Sequence, residues 1–330
     1  MLNPGSILLV RTDRIGELIL TTPAFRALRR TFPQAKITLL VRPSSYEAVE
    51  GNPDLDSIIK IDPAADLDNL RKGLGFISFV RGLKAGMSVV FNPSKFFNVA
   101  LFAAGVPIRA GYDRKMGFLL NRKIPDRKYL CEKHEVEYNL ELAGTVGAVA
   151  SDTAPYFPLP DDWMDRASGI FKANGLGSDR PIVAIHPATS NPEKSWPPER
   201  FARLSDMISG ESGVRVAIIG GREEAGVSRA VISATKTGAA DLTGRISLKD
   251  TASVLKKCAL LVSCDSGPVH VSAAVGTPVV ALFGESRSGG SAVRWGPYGE
   301  AHIVVKKPKV VDISVEDVFD AVRSKLCAAL

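Results

Sequence analysis

The feature that most constrains this fold is a recurrence: short apolar runs of strand length return along the chain with helical patterns between them. In the first half they are Ile7–Val10, Ile37–Val41, Ser57–Ile61 and Met87–Phe91. In the second they are Ile182–Ile185, Val214–Ile219, Leu260–Ser263, Val279–Phe283 and Ile303–Val305. Their hydrophobicity is continuous rather than alternating, as in strands buried on both faces of a parallel sheet. Strands alternating with helices imply βαβ units and doubly wound α/β sheets. The Pro-rich stretch Ala154-Pro-Tyr-Phe-Pro-Leu-Pro160 separates the two sets and reads as an extended linker. At 330 residues the chain is long for one core, so two domains are expected, 1–160 and 161–313. A capped amphipathic helix, opening at Ser314-Val-Glu-Asp317, completes the chain over 314–330.

With 45% hydrophobic and 23% charged residues the composition is that of a soluble globular protein. The net charge of +7 points to acidic partners: phosphorylated small molecules, anionic membrane surfaces or nucleic acid. Nucleic acid has only that charge behind it, since no aromatic-basic motif accompanies it. Between Arg109 and Lys128 lie Arg114, Lys115, Arg122, Lys123 and Arg127, against Asp113 and Asp126. Such a cluster is either a solvated face or a binding surface. The four cysteines show neither CxxC pairing nor metal spacing, and Cys258 and Cys264 read as small core residues in a reducing compartment. Met1 to Ser6 lack the pattern of a signal peptide, and the most hydrophobic window, Phe96 to Val106, is about half a membrane span. A cytoplasmic protein, soluble or peripheral, is expected.

Open α/β sheets bind ligands beyond the carboxyl ends of their strands, so those junctions hold the candidate sites. The run Leu260-Leu-Val-Ser-Cys stops at Asp265-Ser266-Gly267-Pro268, and a helical pattern with His270 follows. This turn is either a capped helix start, with Asp265 or Ser266 as the cap, or an anion site at a helix N-terminus. The first strand of the second half empties into His186-Pro-Ala-Thr189-Ser190-Asn-Pro-Glu-Lys194-Ser-Trp196. Thr189 and Ser190 offer hydroxyls and Lys194 a point charge, equipment for a phosphate. Trp196 reads as a packing anchor, and His186 as either a satisfied buried imidazole or part of the site. Gly220-Gly221-Arg-Glu-Glu224 lets a ring or sugar approach the backbone, with an acid placed to take ribose hydroxyls. At the amino end, Arg11-Thr-Asp13-Arg-Ile-Gly16-Glu17 puts two carboxylates beside a glycine, either a general base or ordinary first-turn acids. Pro23 should kink or restart the helix that follows. No GxGxxG is present, so a dinucleotide site is not supported.

Taken together these motifs resemble glycosyltransferase family nine, the ADP-heptose:lipopolysaccharide heptosyltransferases. The likeness runs over nearly the whole chain. It rests on Arg11-Thr-Asp-Arg-Ile-Gly-Glu-Leu-Ile-Leu-Thr-Thr-Pro23-Ala, Phe32-Pro-Gln-Ala-Lys-Ile-Thr and Ala104-Gly-Val-Pro-Ile-Arg109-Ala-Gly-Tyr112. It continues in His186-Pro187, Lys194-Ser-Trp-Pro, Asp241-Leu-Thr-Gly244, Asp265-Ser-Gly-Pro-Val-His270 and Phe283-Gly284.

The resemblance implies the GT-B architecture: two Rossmann-like doubly wound parallel-sheet domains facing a central cleft, with the C-terminal helix packing back on the N-terminal domain. It implies an inverting, metal-independent transfer of heptose from ADP-heptose to a lipopolysaccharide inner-core acceptor, with no cofactor. Lys194, Thr189 and Ser190 would hold the donor diphosphate together with Ser266 and Gly267, and Glu224 the ribose. Asp265 would bind sugar hydroxyls or orient His270. Arg109, Arg114, Lys115 and Arg122 would hold a phosphorylated lipid A–core acceptor at the inner-leaflet membrane surface. The family's residue after this glycine is usually aspartate, the candidate base; here it is Glu17. One extra methylene moves the carboxylate by about a bond length and a half, and misplacement by about 1 Å can cost ~100-fold. Either Glu17 serves with a shifted backbone, or Asp13 takes the role, or the activity differs. The alternatives are a transferase with another nucleotide-sugar donor or glycan-lipid acceptor, an epimerase of the same shape, and a sugar-nucleotide-binding protein without turnover.

Overall fold

The computed structural model describes residues 4–66, 69–177, 180–210, 213–285 and 291–329. The chain divides into two compact units, Met1–Pro158 and Leu159–Leu330, and the division falls inside the Pro-rich stretch. Each unit is a six-stranded sheet in which every strand pair is parallel, with helices between the strands.

The first unit opens with β1 (Ser6–Arg11), α1 (Ile15–Ile19), α2 (Thr22–Thr31) and β2 (Lys36–Val41). Then come β3 (Ser57–Lys60), α3 (Pro63–Asp66), α4 (Leu70–Gly82) and β4 (Met87–Val90). It closes with α5 (Lys95–Ala103), β5 (Ile108–Tyr112), β6 (Arg122–Ile124) and α6 (Glu135–Gly144). The strand order is β3-β2-β1-β4-β5-β6, so the chain reverses its direction of travel between β1 and β4. Pro23 lies at the start of α2 after a break at Leu20 and Thr21, where its missing N–H leaves no helical bond unmade, so the helix restarts. Leu8, Val10 and Val90 of β1 and β4 pack with Phe76, Phe97 and Leu101 of α4 and α5.

The second unit begins with α7 (Trp163–Ala173), β7 (Ile182–His186), α8 (Pro198–Gly210) and β8 (Arg215–Ile218). It continues through α9 (Ala225–Ala234), β9 (Ala240–Asp241), α10 (Leu248–Lys257), β10 (Leu260–Cys264) and α11 (Gly267–Ala274). It ends with β11 (Val279–Gly284), α12 (Ala292–Trp295), β12 (Ile303–Lys307) and α13 (Val315–Ala329). The order β12-β11-β10-β7-β8-β9 repeats the first sheet's winding, with the reversal between β7 and β10. Trp196 is the anchor expected of it: its ring meets Phe201 edge-on at 4.9 Å and its indole N–H donates to the Ile313 carbonyl at 3.0 Å. Helix α13 turns its apolar stripe, Val315, Val318, Val322 and Leu326, into the core of the second unit, where β10, β12 and α8 receive it. Its apolar face matches that sheet, which supplies the burial that helical propensity alone does not.

Cys258 and Cys264 are buried thiols, and burial pushes both pKa values up to about 12, which suits core residues. Among the described residues no helix is long and apolar enough to cross a membrane.

Candidate functional site

Where a doubly wound sheet reverses, two adjacent strand ends diverge into separate loops and leave room for a ligand. In the second unit that point lies between β7 and β10. Register pairs Ser263 with His186, so these residues at the ends of the two strands are neighbours by backbone necessity. The buried imidazole of His186 lies 3.1 Å from the Ser263 hydroxyl and 3.2 Å from the Ser266 hydroxyl through Nδ1. The two hydroxyls are 2.9 Å apart, and Ser263 also donates to the His186 carbonyl at 3.0 Å. Through Nε2 the same ring meets Glu224 Oε2 at 3.1 Å. Glu224 Oε2 in turn accepts from the Gly221 N–H at 2.6 Å. Burial alone would raise the Glu224 carboxyl; the hydrogen bond and charge of His186, with the Gly221 amide, outweigh it and hold the pKa below the ordinary range. One imidazole thus ties three strand-end loops together. Sequence reading left His186 undecided and missed Ser263, whose signal was a polar residue inside an otherwise apolar strand.

This network takes the Ser266 hydroxyl out of the helix-cap role that the turn offered it. Ser266 occupies the N-cap position of α11 with extended backbone, yet its hydroxyl makes no cap bond, because it is directed at His186 and Ser263. The positive end of the α11 dipole therefore opens at Gly267, next to this network, where an anion is favoured. Beside them Lys194 Nζ contacts Asp265 Oδ2 at 2.5 Å. A cavity of about 680 Å³ opens against this pair, lined also by Asn191, Phe283, Glu285 and Lys309. That volume falls in the usual range for small-molecule sites.

The predicted donor residues therefore divide. Lys194 and Asp265 line the cavity; Glu224, Ser266 and His186 form the hydrogen-bonded wall between β7, β8 and β10. Thr189 closes its own loop, its hydroxyl donating to the Asn191 carbonyl and accepting from the Asn191 amide, both at 3.1 Å. Ser190 is exposed, and His270 is buried in the first turns of α11. The Asp241-Leu-Thr-Gly244 loop zips onto the Gly220 loop through a 2.9 Å bond from the Gly244 amide to the Gly220 carbonyl. Gly244 has φ +68°, and a Cβ there would come 2.8 Å from the Arg222 Cα, so only glycine fits.

In the first unit the reversal lies between β1 and β4, and the segment after β1 carries both predicted carboxylates. Arg11, buried at the strand end, donates through Nη1 to the Phe91 carbonyl just past β4 and through Nη2 to Glu135 Oε1, each at 3.1 Å. Its Nε lies 3.0 Å from Asp13 Oδ1. Lys128 Nζ reaches the same Glu135 oxygen at 2.6 Å, above the Tyr112 ring. Burial raises the Asp13 pKa despite Arg11, and the Glu135 charge adds to it. Burial likewise raises that of Glu17 on α1, with Asp13 as the second cause and Arg11 opposing. A carboxyl lifted toward neutrality is a stronger proton acceptor once ionised. The motif reading had the two acids and missed the buried Arg11, Lys128 and Glu135 that surround them.

The basic stretch separates into different roles. Arg109 is committed to the fold: its guanidinium donates to the Leu119 carbonyl at 2.8 Å and the Val106 carbonyl at 2.5 Å, and lies over the Phe102 ring. Arg114 is exposed and pairs with Asp126 at 3.1 Å, while Lys115 and Arg122 are exposed. Among the described residues no group of three or more His, Cys, Asp or Glu side chains is placed to hold a metal ion.

Comparison with known proteins follows the same lines. Residues 76–318 match the family model of glycosyltransferase family 9 (heptosyltransferase). Lipopolysaccharide heptosyltransferase 3 of Escherichia coli (strain K12) is 24% identical over 297 residues, spanning 86% of this chain and 83% of that protein. A solved glycosyl transferase of family 9 from Veillonella parvula DSM 2008 superposes with a TM-score of 0.88 at 23% identity, covering 99% of both chains. The structure of E. coli ADP-heptose lps heptosyltransferase II gives a TM-score of 0.82 at 21% identity over 98% of this chain and 99% of that one.

Proposed function

The chain belongs to glycosyltransferase family 9 and has its GT-B fold, and on that premise we propose that it moves a heptose from ADP-heptose to a lipopolysaccharide inner-core acceptor. The observation that carries this reading is the start of α11 beside Lys194 and the cavity that Lys194 and Asp265 line. Together the helix start and Lys194 offer two independent sources of positive potential to a diphosphate, at the reversal point of a doubly wound sheet.

In the proposed reaction Glu17, with Asp13 as second choice, takes the proton of an acceptor hydroxyl. That oxygen forms the new bond to the anomeric carbon. The bond from that carbon to the β-phosphate oxygen breaks, and ADP leaves with the electron pair, inverting the centre. Lys194 and the α11 amides stabilise the charge that develops on ADP, the part a metal would otherwise play. Glu224 takes ribose hydroxyls and Asp265 the sugar. Arg114, Lys115 and Arg122 meet acceptor phosphates, and Arg109 shapes the loop that presents them. With a lipid-linked acceptor, the enzyme works at the cytoplasmic face of the inner membrane.

A second reading, donor binding without turnover, is favoured by Glu17 standing where an aspartate is usual in the resemblance. Incubation of ADP-heptose with heptose-deficient lipopolysaccharide decides between them: release of ADP supports transfer. Binding of ADP in calorimetry with no release from ADP-heptose or a panel of nucleotide sugars would put the second reading ahead.

A further inference from the structure

Between Asp68 and Asp126 the sequence holds ten Lys and Arg and a single acid, Asp113, whereas the rest of the chain holds 32 basic and 34 acidic residues. The whole positive excess of the protein therefore comes from this one stretch. It builds one face of the first unit: α4 packs on α5, and α5 on the turn Gly117–Leu119. Arg81 Nη2 ties the ends of the two helices through the Ala103 carbonyl at 3.0 Å, and Asn98 Nδ2 donates to the Lys115 carbonyl at 3.1 Å. Inward, Phe76, Val80, Phe97 and Leu101 fill the core.

Outward, the face is not the polar surface that a solvated helix pair presents. Leu70 is 79% exposed, Leu74 57%, Phe102 52% and Phe118 68%. Exposed Arg71, Lys84, Lys95 and Lys115 stand among them. Scattered single apolar residues need no explanation, but large ones gathered on one face with cations and almost no acid do. That combination is complementary to a surface with anionic charge outside and hydrocarbon beneath it.

We infer that the α4–α5 face, with Phe118, docks on the anionic phospholipid surface of a bilayer. The cations meet headgroup phosphates while Leu74, Phe102 and Phe118 enter the interfacial layer. Neither signal suffices alone for stable attachment, and the face carries both. The inference rests on the lipid-linked acceptor of the proposed function only for its purpose, because vesicle binding tests it without turnover.

The test is co-sedimentation of the full chain with vesicles of phosphatidylethanolamine and phosphatidylglycerol, against vesicles of phosphatidylcholine. The protein should bind the first and not the second, and high salt should release it. Each cation near an anionic surface contributes about fivefold, so Arg71→Gln/Lys95→Gln should weaken binding roughly 25-fold. Leu74→Ser/Phe118→Ser should weaken it too, with melting temperature and ADP affinity unchanged, since these side chains are exposed. Equal binding to both vesicle types, or variants that bind like the parent chain, would overturn the inference. So would a dimer in sedimentation velocity that Leu74→Ser/Phe118→Ser dissolves, which would give the face to a second copy. Vesicle binding with no transfer from any nucleotide sugar would uphold the docking face and remove the proposed reaction instead.

Discussion

Lys194 is the sharpest place to perturb the site, because its ammonium is shared with the neighbouring carboxylate. Nζ lies 2.5 Å from Asp265 Oδ2, with the lysine side chain 30% exposed and the aspartate 12%. An ammonium has three donors, so one can stay on Asp265 while the others turn to a diphosphate. A hydrogen bond to a charged group is worth about 1.5–3 kcal/mol net, and Lys194→Ala should weaken ADP by at least that, roughly 10- to 150-fold. The truncation also leaves Asp265 facing the diphosphate without its counter-ion, which adds to the loss. Asp265→Asn removes that competitor, and ADP should bind tighter by up to about 1 kcal/mol, the upper range for a partly exposed pair. The double variant should then recover part of the Lys194→Ala loss, because the repulsion is gone although the ammonium is not restored. Calorimetry with ADP on the four proteins closes the cycle. If Lys194→Ala binds ADP within about twofold of the parent, the phosphate role is wrong. If Asp265→Asn weakens ADP as much as Lys194→Ala does, the exchange of partners is wrong.

Glu17→Gln should lower kcat by about 10²–10⁴ with ADP affinity unchanged, as expected for a general base, and parental kcat would exclude Glu17. A base must be ionised to act, so the acid limb of kcat/KM should sit above the usual carboxylate range, as burial and Asp13 dictate. Asp13→Asn removes the second of those causes and should move the limb to lower pH; a limb that stays in place refutes the coupling. Glu135→Gln leaves Arg11 and Lys128 buried without their shared carboxylate and should destabilise by about 3–5 kcal/mol in thermal or denaturant unfolding. Arg109→Ala should cost about 1–3 kcal/mol of stability through its lost carbonyl bonds. A raised acceptor KM at parental stability would instead return Arg109 to the acceptor site.

The parts of the fold legible in sequence are those whose signal is local. Strands buried on both faces, such as β1, β7 and β10, announce themselves as unbroken apolar runs. The strands β5, β6 and β9 gave no such signal. Arg122-Lys-Ile of β6 and the two residues of β9 are short edge strands, and β5 carries Arg109 in a run broken by glycine. At the site, motif residues ending a strand were visible because strand ends are where chemistry collects in this architecture. What stayed hidden depends on pairing across the sheet. Ser266 stayed open between a helix cap and an anion site, because nothing in a linear sequence brings His186, eighty residues earlier, to its hydroxyl. Arg11 drew no separate role from the sequence, because its partner Glu135 lies far along the chain.

The contact between Arg11 and Glu135 spans 124 positions of sequence, and that distance has a consequence during synthesis. The ribosome delivers β1 and the loop with Asp13 first, while the carboxylate that neutralises Arg11 follows only with the first turn of α6. Domains fold as units from the amino end as the chain emerges. A nascent chain halted before residue 135 can therefore pair its central strands and still hold a guanidinium without its Glu135 partner beneath the Asp13 loop. Glu135 reaches Arg11 only once α6 has been made, after the last strand of its sheet and while the second sheet is still to come.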